Sequence, residues 1–208
     1  NVGLRMAVEL GAQWCLVINP DVELRNPEWL KSIIETVENY PKAAVIGTDV
    51  RMPDQTRQNP MRECTYMEDL LWPLDAMKHK FGLWKGYLAE DKTGYCDKLS
   101  GCSFLIRADF LQEIGFLDEH NFLYSEEPIL AIQVRLKGYR ELYIKEDTAF
   151  HQHFESKKGA NGERMVMMVE SRMYYLKKYS GYQGIGLKLL LFSKKLQRAF
   201  WKSRIKRP

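Results

Sequence analysis

Short apolar runs alternate along this chain with segments of helical period. Trp14-Cys15-Leu16-Val17-Ile18 is an unbroken apolar run, which predicts a strand buried on both faces. It stops at Asn19-Pro20-Asp21, where proline forces a turn and leaves the Asp21 carboxylate at the strand's end. Residues 4–10 have a helical pattern closed by Gly11. Asn26-Pro27 opens a second helix, with Trp29, Leu30, Ile33, Ile34 and Val37 as one buried stripe that lasts until Pro41. Residues 43–46 read as another short strand. Residues 51–97, interrupted by Pro53, Pro60 and Pro73, read as a loop with one or two short helices near 66–81. Trp72, Trp84 and Tyr87 in that stretch suit either a ring-binding groove or plain core.

The pattern sharpens after residue 99. "LSGCSFLI" (99–106) predicts a buried strand in which Gly101 admits a close neighbour. Residues 107–114 form a helix ended by Gly115, and Ser125 is placed to cap a helix that runs to about Lys137 before Gly138. Residues 139–144 and 149–153 read as two separate strands. Helix and strand alternate, so the expected class is α/β, a mixed sheet flanked by helices. The expected division is a catalytic-type domain over 1–165 and a basic helical tail over 166–208.

Composition adds two constraints. With 208 residues, 45% of them hydrophobic, there is core enough for one good-sized domain. The four cysteines lack Cys-x-x-Cys spacing, which predicts reduced thiols in the cytoplasm rather than a zinc site. No apolar stretch approaches the roughly 18 to 20 residues a membrane span needs. Charge is divided along the chain: from Ser171 onward there are eleven Lys and Arg and no acid. The first 170 residues hold the other 20 basic residues against all 27 acidic ones, a net of −7. Such asymmetry points to a polyanionic surface, membrane or nucleic acid.

Two clusters carry candidate chemistry. Glu126-Glu127 falls in the first turn of a predicted helix, where the backbone favours negative charge. The apolar lead-in "NFLY" would partly desolvate one carboxylate, raising its pKa and making Glu127 a candidate base. His151 and His153, two apart at a strand end, point to one face if extended. One of them, with Asp21, would complete an oxygen-and-nitrogen shell for Mn²⁺ or Mg²⁺.

The order of these motifs carries a resemblance. Asn1-x-Gly3, "LVINPDVEL", "LSGCSFLIRADFLQEIGFLDE", "NFLYSEEPILAIQVRLKGY" and "FHQH" resemble the latter two-thirds of a family-2 inverting glycosyltransferase of GT-A (Rossmann-like) fold, most like its rhamnosyltransferase-type members, over about residues 1–156. The resemblance implies that Asp21 holds a divalent cation bridging the diphosphate of a nucleotide-sugar donor, with Asn19 and Gly101 beside the donor. It implies that Glu127, second of the pair with Glu126, takes the proton of an acceptor hydroxyl on a glycan or lipid-linked acceptor in cell-surface polysaccharide synthesis. His151, with His153 as the alternative register, is the implied cation or diphosphate contact. Two departures stand out: Ile129 replaces a frequent Asp, and Glu replaces Asp at the base. The sequence also starts after the strand, turn and helix that hold the base and ribose in that family. The expectation is therefore an N-terminally truncated fold that binds a donor poorly by itself.

Near the C-terminus Leu189, Phe192, Leu196, Ala199 and Phe200 follow helical spacing, while Lys188, Lys195, Arg198, Lys202 and Lys206 gather on another side. Such a helix suits the headgroup layer of an anionic membrane, giving a peripheral protein on the inner face of the cell membrane. The other reading is a helix packed on the domain with a solvated basic face. A non-catalytic glycan- or membrane-binding module on the same fold is the alternative to an enzyme. A nucleic-acid binder is disfavoured by the acidic body.

Overall fold

The computed structural model describes residues 1–81, 83, 86–120, 123–152 and 162–205. In chain order it contains α1 (Val2–Glu9), β1 (Trp14–Ile18), β2 (Val22–Leu24), α2 (Trp29–Val37), β3 (Ala43–Arg51), α3 (Tyr66–Leu70) and α4 (Trp72–Lys80). There follow β4 (Gly94–Cys96), β5 (Ser103–Arg107), α5 (Ala108–Ile114), α6 (Glu126–Leu136), β6 (Arg140–His151), α7 (Gly162–Lys178) and α8 (Gly184–Lys202). They form two units. The first takes Asn1–Glu63, Tyr87–Glu119 and Leu130–Phe154; the second takes Cys64–Gly86, His120–Ile129 and Glu155–Pro208.

The first unit is built on a mixed sheet of order β1-β5-β3-β6-β2, with β4 also pairing β6. Among the described residues only the central β3–β6 pair is parallel; the other pairings are antiparallel. Period-two alternation sorts the strand side chains onto two faces. Cys15, Val45, Phe104, Ile106 and Tyr143 meet Phe110, Leu111, Leu130 and Val134 on one face. Ile46, Leu105, Leu142 and Ile144 meet Trp29 and Ile33 on the other. Helices therefore flank both faces, as the alternation of elements predicts.

The structure corrects several local expectations. Among the described residues β1 pairs only with β5, so it is an edge strand rather than one buried on both faces, and Leu16 and Ile18 stay 41% and 38% exposed. Leu30 in the expected α2 stripe is exposed as well. β3 runs on to Arg51, because its parallel partner keeps pairing past Gly47. β5 starts at Ser103 rather than Leu99, since the backbone of residues 100–102 is engaged elsewhere: Ser100 N–H donates to Asn59 Oδ1, and Cys102 C=O accepts from Asn19 N–H. The two strands expected over 139–153 are one strand of 12 residues, β6, with residues 145–147 bulged between the pairs Thr48↔Ile144 and Asp49↔Thr148. Ser125, expected to cap α6, accepts the helix's Ile129 N–H through its carbonyl. Its φ of +61° is not the extended backbone from which a serine side chain ordinarily caps.

Among its described residues the second unit carries α3, α4, the start of α6, α7 and α8. α7 packs along α8, and α3 packs on α8. Trp72 meets Phe200 at 5.4 Å between ring centroids, which makes it packing for α8. Tyr87 belongs to the first unit, under Arg62, and Trp84 lies outside the described residues.

Candidate metal and diphosphate site

The Asn19-Pro20-Asp21-Val22 stretch is a tight turn closed by Val22 N–H donating to Asn19 C=O at 3.1 Å. It carries the chain from the end of β1 to β2, whose Val22 pairs with His151 at the end of β6. Gln152 N–H donates to the Asp21 carbonyl at 2.7 Å, locking the turn to β6. β1, β3 and β6 all end at this side of the sheet while β2 and β5 begin there. This is the position where open α/β sheets bind ligands.

The side chains follow from that frame. His151, 9% exposed, places Nε2 3.4 Å from Asp21 Oδ1. Its Nδ1 lies 2.9 Å from Gln58 Oε1. Gln58 is placed by its own N–H, which donates to Val50 C=O at the end of β3. Cys102 Sγ sits 3.9 Å from the same Gln58 oxygen and accepts from Ser100 Oγ at 3.3 Å. Buried Asn59 braces this side, donating through Nδ2 to Thr48 C=O and accepting from Ser100 N–H. With the Gln58 carbonyl accepting, Nδ1 carries the ring hydrogen, and Nε2 turns its lone pair or a proton toward a carboxylate.

The donor set suits a divalent cation of borderline hardness, with one carboxylate oxygen, one imidazole nitrogen and a hydrogen bond orienting the imidazole from behind. Among the described residues no group of three or more His, Cys, Asp and Glu side chains gathers in a metal-binding arrangement. Two protein donors leave most coordination positions for oxygens of a ligand, as is usual for cations that carry phosphates. Asp21 and His151 are brought together, with Asn19 at the mouth of the turn and Gly101 in the turn before β5 rather than on a strand. His153 lies outside the described residues. Gln58 is not legible from sequence, because it stands 93 residues from His151 in an irregular segment, and only folding makes them neighbours.

Glu126 and Glu127 open α6 and belong to the second unit. Desolvation, reinforced by the neighbouring Glu127 carboxylate, holds the Glu126 carboxyl above the usual carboxylate range, although the residue as a whole is exposed. The carboxyl so perturbed is the first of the pair, whereas the resemblance points to the second as base. Ile129, where an acid was a family alternative, is 2% exposed.

No protein-family model and no curated protein matches this sequence. Solved structures do. S. aureus TarS aligns over 96% of this chain and 30% of its own, at TM-score 0.48 and 12% identity. The mannosyltransferase PcManGT from Pyrobaculum calidifontis, in complex with GDP-Man and Mn²⁺, aligns over 96% of this chain and 51% of its own, at 0.49 and 10%. GalNAc-T7 with UDP, GalNAc and Mn²⁺ aligns over 98% of this chain and 42% of its own, at 0.50 and 13%. The chain thus spans about a third to a half of the length of these proteins. The architecture of this chain is the mixed α/β fold of GT-A type.

Proposed function

We propose that this chain is the cation- and acceptor-handling part of a glycosyltransferase that moves a sugar, rhamnose or another hexose, from a nucleoside diphosphate to a hydroxyl on a glycan or lipid-linked acceptor, with inversion. The observation that carries the reading is the Asp21–His151 pair, 3.4 Å apart at the carboxyl ends of the parallel strands of a GT-A sheet. Mn²⁺ in the GalNAc-T7 complex agrees with the donor chemistry of that pair. Asp21 and His151 would hold the cation, Mn²⁺ or Mg²⁺, which when bound offsets negative charge developing on the departing diphosphate. Gln58 keeps the His151 ring turned so that Nε2 faces Asp21. The Asn19-Pro20 turn keeps Asp21 within reach of the imidazole. Glu127, beside Glu126, is assigned the proton of the attacking hydroxyl, so that one displacement at the anomeric carbon inverts it.

The test is hydrolysis and transfer with a panel of nucleotide-sugars, with Mn²⁺ or Mg²⁺ and after chelation. Turnover of at least one donor should require the cation. Asp21→Asn and His151→Ala should each lower it by about 100-fold or more. Cation-independent turnover that survives both substitutions would remove the reading.

A further inference from the structure

Helix α8 is turned with the wrong face outward for a helix that only stabilises its own unit. Its inward side holds Leu190, Ser193 and Lys194, all buried. Ser193 Oγ donates to Leu70 C=O at 2.6 Å, Lys194 Nζ lies 3.1 Å from Asp69 Oδ1, and Tyr66 Oη donates to Gly186 C=O at 3.1 Å. These polar ties fix the rotation of the helix. A different side carries Ile185, Leu189, Phe192 and Leu196, spaced i, i+4, i+7, i+11 and 77%, 49%, 60% and 53% exposed. Burying such side chains is favourable, so a solvent-facing stripe of four is a standing cost unless something covers it. Lys188, Lys195 and Lys202, all exposed at a seven-residue interval, run along one edge of that stripe. No acid occurs from Ser171 onward to offset them.

We infer that this face of α8 docks on an anionic lipid bilayer, the helix lying in the plane of the headgroups with the stripe among the upper acyl chains and the lysines at the phosphates. The length supports lying rather than crossing: 19 residues span roughly 28 Å, but with charge along one flank, and among the described residues no helix is long and apolar enough to cross a membrane. Nucleic acid would engage the lysines and leave Phe192 and Leu196 in water. A second copy would set one acid-free helix against another. Lys206, the last basic residue expected on this face, lies outside the described residues, and Arg198 is engaged by Glu170 at 2.5 Å. The inference is independent of sugar transfer, because it is read without donor or acceptor.

The test is co-sedimentation of the whole chain with vesicles of phosphatidylcholine alone and of equal parts phosphatidylcholine and phosphatidylglycerol. The chain should sediment with the anionic vesicles, remain in solution with the neutral ones, and be released by salt. Phe192→Ser with Leu196→Ser, and separately Lys188→Glu with Lys195→Glu, should each weaken binding about tenfold or more while the thermal unfolding midpoint holds, since all four positions are exposed. Equal binding to both vesicles, binding to neither, or binding indifferent to both double substitutions would overturn the inference. So would a dimer in size-exclusion chromatography that the Phe192/Leu196 substitutions dissociate, which would assign the stripe to a second copy.

Discussion

Glu141, the second residue of β6, shows how far a single side chain can depart from its sequence appearance. In "RELYI" it looks like one polar position of a half-solvated strand, yet it is 3% exposed and its Oε2 has no hydrogen-bond partner. Desolvation pushes its carboxyl up to about 8, against the opposing hydrogen bond from the Leu99 backbone and the charge of Arg135. The folded chain therefore binds a proton that the unfolded chain releases above its ordinary value near 4.5. The stability Glu141 contributes is complete below that value and declines as pH rises toward 8. Glu141→Gln, nearly isosteric and unable to ionise, should flatten the profile in that window. At pH 8 it should be the more stable form relative to pH 5 by on the order of 3 kcal/mol. Urea unfolding at the two pH values measures this, and an identical pH dependence for both proteins would contradict it.

At the scale of elements, the most local signals were legible. Gly11, Gly115 and Gly138 end helices in the left-handed region, at φ of +83°, +73° and +79°, as their places after apolar periodic segments predict. The three-residue strands β2 and β4 were not legible, because each exists only by pairing with β6. The rotation of α8 likewise depends on distant partners. Burial pushes the Asp69 carboxyl up, but the hydrogen bond and charge of Arg172, and the charge of Lys194, outweigh it and hold it below the usual carboxylate range. Arg172 Nε donates to Asp69 Oδ1 at 3.0 Å, so one buried carboxylate serves two cations. Removing it leaves both cations without that anion. Asp69→Ala should therefore destabilise the second unit by about 3–5 kcal/mol, as broken buried ion pairs do. Asp69→Asn should cost less, since it keeps hydrogen bonding to Arg172. Thermal unfolding followed by circular dichroism would show the order, and equal midpoints for wild type and Asp69→Ala would refute it.

At the scale of the whole molecule, the two units interleave in sequence, and the candidate chemistry is divided between them. Asp21, Gln58 and His151 are in the first; Glu126 and Glu127 are in the second. The roles proposed for the two groups separate kinetically. Glu127→Gln should leave the affinity for a nucleotide-sugar with Mn²⁺ within about twofold, while lowering kcat by roughly 10²–10⁴, the usual contribution of a general base. Asp21→Asn should weaken donor binding itself. Donor binding retained with no turnover to lose in the unsubstituted protein would favour the non-catalytic module. Isothermal titration beside steady-state kinetics distinguishes these outcomes.

The sequence by itself determined the α/β class, the glycine stops of three helices, and the carboxylate delivered by Asn19-Pro20-Asp21, because each depends on residues a few positions apart and on backbone sterics that act locally. Tertiary structure alone decided that β1 is an edge strand, that β6 is continuous, that Gln58 stands behind His151, and that α8 turns its apolar stripe outward. Those outcomes depend on which distant groups compete for the same hydrogen bonds and buried space, and a linear pattern of polar and apolar positions does not record that competition.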